Sequence, residues 1–167
     1  IVASMAKTPE REKRATFTDS YYRSRSSFVG KADAGLDSTN KGLVGKRLCA
    51  GKATVQLEYL QQHFTDKAEV IPSESSDEAF VFLAKGDVDL VLADGLVGLE
   101  FLKSDVGQAY TFICPPLPGD HVSAAAYITV RKGNEALRDR INKALNTIRL
   151  NGQYDAINRK YFPFSIY

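Results

Sequence analysis

Short apolar runs alternate with amphipathic segments along most of this sequence, and this alternation limits most strongly how the chain can fold. Residues 48–50 and 88–92 are apolar almost throughout, as is typical of buried strands in parallel sheets. Each run is followed by a turn and then by apolar residues at helical spacing. The pattern predicts βαβ units, mainly parallel sheets and helices on both faces, which is an α/β fold.

Two turns at the ends of predicted strands are the places where such a sheet would bind a ligand. Sheets of this class bind ligands outside the carboxyl ends of their strands. The turns are GKAT at 51–54 and ADG at 93–95. The first is similar to a phosphate-binding loop, but it lacks the Ser or Thr that such a loop needs directly after its lysine. A nucleotide is therefore not expected there.

Composition excludes several classes of protein. The 167 residues contain 22 Lys and Arg against 20 Asp and Glu, so a net charge of +2 offers no basic surplus for nucleic acid. No apolar run reaches the roughly 20 residues of a membrane span. Neither His63 nor His121 has a partner at a zinc-motif spacing, so no metal or other cofactor is predicted. Cys49 and Cys114 are interpreted as buried free thiols, with a disulfide as the alternative.

The first four residues, IVAS, read like the second half of a β-strand. We therefore expect that the opening part of a larger domain is missing from this chain. The lack of a signal peptide then says little about where the protein is located.

Six short motifs, spread in order over nearly the whole chain, resemble those of one family. They are TPER at 8–11, FTDSYY at 17–22, LVGKR at 43–47, GDVDLV at 86–91, IRLNGQY at 148–154 and KYF at 160–162. The ordered set resembles the polar amino acid-binding proteins, the periplasmic solute receptors of ABC importers (solute-binding protein family 3). The tail at 161–167 is most similar to the lysine/arginine/ornithine, histidine and opine receptors.

This resemblance implies a type II periplasmic-binding-protein-like fold, in which two α/β lobes are joined by two crossovers and bind a ligand between them. The expected second lobe covers 30–121, and the crossovers fall at 23–29 and 124–129. Residues 1–22 and 130–167 form what is present of an incomplete first lobe. The implied protein is not an enzyme. It is periplasmic, or extracytoplasmic and membrane-tethered, and it hands its ligand to an ABC permease in the membrane.

The resemblance also assigns the groups that an α-amino acid needs. Arg11 matches the arginine that grips the ligand carboxylate as a bidentate pair, and Asp94 matches the aspartate that receives the ammonium group. Thr54 and Val55 begin a helix at the position whose backbone N–H groups bind the same carboxylate. The other positions that align with ligand-facing residues are Ser4, Ala6, Gln56 and Gly51.

The sequence departs from the family pattern at three positions near this predicted site. Ala6 replaces a Ser or Thr and removes a hydroxyl donor, and Ala53 replaces a glycine in the loop. Gly51 is small and is expected to enlarge the side-chain pocket. We therefore predict that the polar or cationic ligand is not one of the commonest amino acids, but a larger or opine-like compound.

Two other functions stay open at this point. One is a ligand-binding sensor domain of a receptor, whose ligand chemistry would be the same. The other is a cyclohexadienyl dehydratase-like enzyme, which would need a positioned acid such as Glu58 or Glu100. If the first lobe is incomplete, its exposed apolar sheet also predicts self-association.

Overall fold

The computed structural model describes residues 1–35, 42–113, 115–117, 122 and 125–167. The chain divides into two compact units: unit 1 contains Ile1–Ser24 and Ser123–Tyr167, and unit 2 contains Arg25–Val122. His121 and Cys114 lie outside the described residues, so the predictions that involve them stay predictions.

Unit 2 is built on a five-stranded sheet. In spatial order its strands are β5 (Glu69–Ser73), β4 (Arg47–Gly51), β6 (Leu90–Asp94), β3 (Ser26–Lys31) and β7 (Tyr110–Ile113). Strand β4 pairs in parallel with β5 and β6, whereas β3 pairs antiparallel with β6 and β7. Strands β4, β5 and β6, which helical segments connect in sequence, form the parallel half of this sheet.

Helices cover both faces of the unit 2 sheet. On one face, α2 (Val55–Phe64) packs through Leu57 and Leu60 into the first of two apolar clusters. On the other face, α3 (Ser76–Lys85) and α4 (Gly95–Lys103) pack into the second cluster. A 3₁₀ turn follows α4. Because apolar residues on alternate strand positions point to opposite faces, each strand supplies both clusters.

Unit 1 contains a three-stranded antiparallel sheet. Its strands, in spatial order, are β1 (Val2–Met5), β8 (Ala125–Arg131) and β2 (Ala15–Arg23). The short helix α1 (Pro9–Arg14) joins β1 to β2, and α5 (Glu135–Leu150) and α6 (Gln153–Tyr161) follow β8. Helix α5 is fixed to β2 by a hydrogen bond from the Asp19 N–H to Asn142 Oδ1 at 2.9 Å.

Short polar side chains cap several of the helices. Thr8 caps α1 and Thr54 caps α2. The cap of α3 is Ser75, because the hydroxyl of Ser75 accepts the N–H three residues later. Asp94 caps α4 instead of forming a separate turn before it.

The α/β fold class is confirmed, but the sheets are not mainly parallel: the unit 2 sheet is mixed and the unit 1 sheet is antiparallel. A parallel pair needs a long crossover connection, usually a helix. Strands β3 and β8 overlap the predicted crossovers at 23–29 and 124–129, and neither belongs to a βαβ repeat. Their local sequence therefore carries no signal for the direction in which they pair. The lobe boundaries that the resemblance implies stay a prediction.

Candidate ligand-binding site

In unit 1, an irregular part of strand β1 sets the position of Ser4. The pairing of β1 with β8 changes register between Val2 and Met5, and Ser4 lies in that interval with a φ of 56°. Non-glycine residues rarely adopt this left-handed conformation, and strained backbone clusters at functional sites. The Ser4 hydroxyl lies 2.9 Å from the hydroxyl of Tyr21 on β2. The strain and the paired hydroxyls support Ser4 as a binding candidate.

Arg11 is held at the start of α1 by its backbone and its side chain. Its N–H donates to Thr8 Oγ1 at 3.3 Å, and its guanidinium Nη1 donates to the carbonyl oxygen of Ala6 at 2.9 Å. This second bond orients the guanidinium, whose planar fork matches a carboxylate. Ala6 thus orients the Arg11 guanidinium through its carbonyl, although its side chain offers no donor.

In unit 2, the remaining predicted residues meet at one edge of the sheet. The parallel neighbours β4 and β6 end there at Gly51 and Asp94. The antiparallel strand β3 begins there at Ser26, which lies directly opposite Asp94. Helices α2 and α4 start from the same edge. The structure therefore places Gly51, Thr54, Val55, Gln56 and Asp94 where sheets of this class bind ligands.

Thr54 shapes the loop that leads from β4 into α2. Its Oγ1 accepts from the Leu57 N–H at 3.1 Å and donates to the Gly51 carbonyl at 2.7 Å. The hydroxyl proton is committed inside the loop, so Thr54 does not donate it to a ligand. The first N–H groups of α2, including that of Val55, carry the partial positive charge of a helix start and suit an anion.

Asp94 is an acceptor fixed by the helix that follows it. Its Oδ1 accepts from the Leu96 N–H at 2.9 Å, and its side chain is half-buried. The helix start therefore holds the carboxylate in one orientation. A carboxylate held in this way can receive an ammonium group without first losing side-chain freedom.

Gln56 is held by a residue that the sequence analysis missed. Its Nε2 donates to Oγ of Ser26 at 2.9 Å, and Ser26 is 1% exposed. Ser26 lies in the predicted crossover at 23–29, and no local motif links it to Gln56. Tyr21 was also missed as the partner of Ser4.

The structure corrects the role predicted for Gly51. A Cβ built on Gly51 would lie 3.1 Å from the Ser76 nitrogen and 3.2 Å from the Ser75 carbonyl carbon, both in the backbone at the start of α3. The space beside this glycine is filled by α3, so the small residue allows close packing and does not enlarge a ligand pocket. A contact through the Gly51 backbone stays a prediction.

Ala53 adopts a left-handed conformation, with a φ of 57°. A glycine has no steric penalty there, whereas an alanine costs roughly 1–2 kcal/mol. The loop therefore takes a glycine-like shape despite the substitution. Among the described residues, Ser4 and Ala53 are the non-glycine residues with positive φ. Ser4 is itself a binding candidate of unit 1, and Ala53 directly precedes Thr54 in the loop at the unit 2 edge.

A cation in the loop at the unit 2 edge is compensated by a neighbouring carboxylate. The ammonium of Lys52 is paired with the carboxylate of Glu74, which raises the pKa of Lys52 and compensates its charge. Within the described part of the chain there is no cluster of three or more side chains that would hold a metal ion. The same part contains no helix long and apolar enough to cross a membrane.

Comparison with known proteins places this chain in one family. Residues 1–164 match the family model of the bacterial extracellular solute-binding proteins, family 3. The chain is 36% identical to the L-arginine-binding protein of Pseudomonas aeruginosa and 29% identical to the histidine-binding periplasmic protein of Escherichia coli K12. Both matches cover 100% of this chain, but it spans only 66% and 65% of the lengths of those relatives.

Solved structures agree with the sequence comparison. An ancestral arginine-binding protein bound to arginine superposes with a TM-score of 0.85 at 28% identity, covering 95% of this chain and 69% of that one. An arginine-specific periplasmic binding protein of Salmonella typhimurium gives a TM-score of 0.81 at 25% identity, covering 95% and 70%. This chain belongs to the bacterial extracellular solute-binding proteins, family 3.

Proposed function

We propose that this chain is the ligand-binding part of an extracytoplasmic receptor that delivers a polar or cationic amino acid, or a related opine-like compound, to an ABC permease. The observation that carries the proposal is the unit 2 edge. There the N-terminus of α2 follows the end of β4, and the fixed carboxylate of Asp94 lies at the end of the neighbouring strand β6. A helix start suits an anion and a carboxylate suits a cation, so this edge offers complementary groups for a zwitterion.

Unit 1 supports the same ligand chemistry. The Arg11 guanidinium is oriented by the Ala6 carbonyl and provides the cation that an α-carboxylate needs. Ser4, on strand β1 of the same unit, offers a hydroxyl or a carbonyl. In this proposal Arg11 is a carboxylate-binding residue of unit 1. In unit 2, the α2 N-terminus is a group that suits an anion, and Asp94 receives an ammonium group. The ligands in the relatives' names, arginine and histidine, fit this assignment.

Titration calorimetry with arginine, lysine, ornithine, histidine, octopine and nopaline tests the proposal. Ligand at 1,000 times its Kd should stabilise the folded chain by about 4 kcal/mol, which a thermal shift also detects. Arg11→Lys should weaken binding at least tenfold, because a lysine loses the bidentate geometry. The matched control is Arg14→Lys, on the exposed end of the same helix.

Asp94→Asn separates the charge of this residue from its structural role. Asparagine is as good a helix cap as aspartate, so the start of α4 should be preserved while the negative charge is lost. Binding should fall at least tenfold, whereas exposed Asp105→Asn should leave it unchanged. A chain that binds none of the six compounds, or variants that bind like the wild type, would contradict the proposal.

No observation favours the enzymatic alternative over binding. One solved neighbour is an ancestral amino acid-binding protein described as a precursor of cyclohexadienyl dehydratase, but at 24% identity it shows the fold alone. The two candidate acids, Glu58 and Glu100, are both exposed to solvent. General acids usually need a shielded environment that raises their pKa toward neutrality.

Self-association is a further part of the proposal, and exposed apolar residues of unit 1 support it. Leu150 is 81% exposed and Ile1 is 79% exposed, and Tyr161 is 66% exposed on α6. Apolar surface of this kind favours association. Light scattering over a hundredfold concentration range should show a rising mass, and a constant monomer mass would contradict this part.

A further inference from the structure

The bond between Gln56 and Ser26 determines which end of the Gln56 amide is available at the unit 2 edge. Nε2 of Gln56 donates to Ser26 Oγ at 2.9 Å. No other group among the described residues hydrogen-bonds to the Gln56 side chain. Because one end of the amide is occupied, the carbonyl Oε1 is the end that stays available for a ligand.

Ser26 is well placed for this role because it is itself fixed. It is 1% exposed, and its carbonyl accepts from the Leu117 N–H at 2.9 Å. In the register between β3 and β6 it lies directly opposite Asp94. Side chains at directly opposed positions of an antiparallel pair lie on the same face of the sheet. Ser26, Gln56 and Asp94 therefore belong to one corner of unit 2.

We infer that Ser26 is a positioning residue that makes this corner selective for ligand side chains rich in N–H donors, such as a guanidinium. With Nε2 held, Gln56 presents a carbonyl acceptor at the same edge where Asp94 is proposed to receive the ammonium group. A donor-only side chain pairs with this carbonyl, whereas a urea or amide brings a carbonyl of its own that finds no donor there. An unpaired polar group at a desolvated contact lowers affinity. This inference rests on the proposed function and adds to it a preference for one class of ligand side chain.

Calorimetry with arginine and citrulline tests the inference, because citrulline replaces the guanidinium by a neutral urea of similar shape. The wild-type chain should bind arginine more tightly than citrulline. In Ser26→Ala the amide can rotate and offer Nε2 to the urea carbonyl, so the ratio of the two affinities should fall about tenfold. Ser26→Thr, which keeps a hydroxyl, should keep the ratio near that of the wild type.

Ser27→Ala is the matched control for a lost serine in strand β3. Ser27 is 6% exposed and pairs with Ala93, so it lies on the opposite face of the sheet from Ser26. This variant should lose stability without changing the ratio. A Gln56→Ala background adds a second control. There, Ser26→Ala should have no further effect on the ratio, because the amide that it positions is gone.

The outcomes separate this inference from the proposed function. A wild-type chain that binds neither arginine nor citrulline, nor any other amino acid, overturns the proposed function and this inference with it. A chain that binds arginine, but keeps its arginine-to-citrulline ratio in Ser26→Ala, overturns only the inference. The same holds if Ser26→Ala and Ser27→Ala change the ratio equally, since that would indicate a general loss of packing.

Discussion

The two units of this chain are stabilised in different ways. Both apolar clusters consist of unit 2 residues, and the large side chains at their centre, such as Phe28 and Leu60, are almost fully buried. In the described part of unit 1, the buried apolar residues are Ala126, Val130 and Leu145. Because apolar burial supplies most of the free energy of folding, unit 2 should contribute most of the stability of the chain.

Unit 1 depends instead on hydrogen bonds and ring contacts. The guanidinium of Arg149 lies 3.8 Å from the ring centroid of Tyr167, and its Nη2 donates to the Ser20 carbonyl at 2.6 Å. The Tyr154 hydroxyl donates to the Tyr21 carbonyl at 2.5 Å. Each such contact adds only about 1 kcal/mol. Unit 1 should therefore unfold locally more readily than unit 2.

The largest expected effect comes from removing a leucine in each unit. Leu60→Ala should lower the free energy of unfolding by about 2–5 kcal/mol, because Leu60 is fully buried among large apolar side chains and a cavity remains. Leu145→Ala should cost about 1.5 kcal/mol, because Leu145 lies at 9% exposure outside both clusters. Denaturant unfolding of both variants checks the comparison, and equal losses would contradict it.

The same contrast explains what the sequence predicts well. Helix faces in unit 2 were predictable, since Ala79, Phe80 and Leu83 recur at helical spacing and are buried. The direction of β3 and the contact of Ser26 with Gln56 were not, because both depend on residues far apart in the chain. The local sequence pattern predicts burial and capping, whereas the direction of strand pairing and the partners of side chains are set by the tertiary structure.

The predictions for the candidate site also succeeded where the signal was local and failed where it depended on distant parts of the chain. The predicted residues of unit 2 meet at one edge, because strand ends and helix starts are local features that the sequence marks. The pocket role of Gly51 was wrong, since the start of α3 that fills the space comes from another part of the chain. The pairing of Ser4 with Tyr21 was missed for the same reason.

The strained residues allow a comparison of the two units at single positions. Ala53→Gly should raise the stability of unit 2 by about 1 kcal/mol, because glycine adopts a φ of 57° without steric cost. Ser4→Gly in unit 1 should change stability little, because the relief of strain is offset by the lost bond to Tyr21. Thermal unfolding measures both. Ala84→Gly, inside α3, is the control and should lower stability by about 1 kcal/mol.

A smaller effect is expected at the C-terminal residue of the chain. Tyr167→Leu should destabilise unit 1 by about 0.5–1 kcal/mol, because it removes the aromatic face over Arg149 but keeps much of the apolar surface. Tyr167→Phe keeps the ring and should behave like the wild type. Hydrogen exchange resolves the location: faster exchange is expected in α5, α6 and β2, with β4 and β6 unchanged. An effect confined to unit 2 would contradict this assignment.

The smallest effect concerns the charged pair at the other end of the unit 2 sheet. Arg47 Nη2 donates to Asp89 Oδ1 at 2.7 Å, and the Arg47 N–H donates to Asp89 Oδ2 at 2.8 Å. The hydrogen bonds from the Arg47 side chain are the main cause that lowers the pKa of Asp89 below its usual value. Both side chains are partly exposed, at 39% and 30%, so solvent screens the pair.

The lowered pKa gives this pair a defined pH dependence. A carboxyl group whose pKa is lower in the folded state stabilises the fold above its unfolded pKa, near 3.9, and loses that contribution as the pH falls through the folded pKa. The difference in unfolding free energy between wild type and Asp89→Asn should therefore be constant from pH 5 to 7 and shrink below pH 4. Denaturant unfolding across this range measures it, with exposed Asp105→Asn as the control. A difference that stays constant below pH 4 would show that Asp89 stabilises unit 2 by packing rather than by charge.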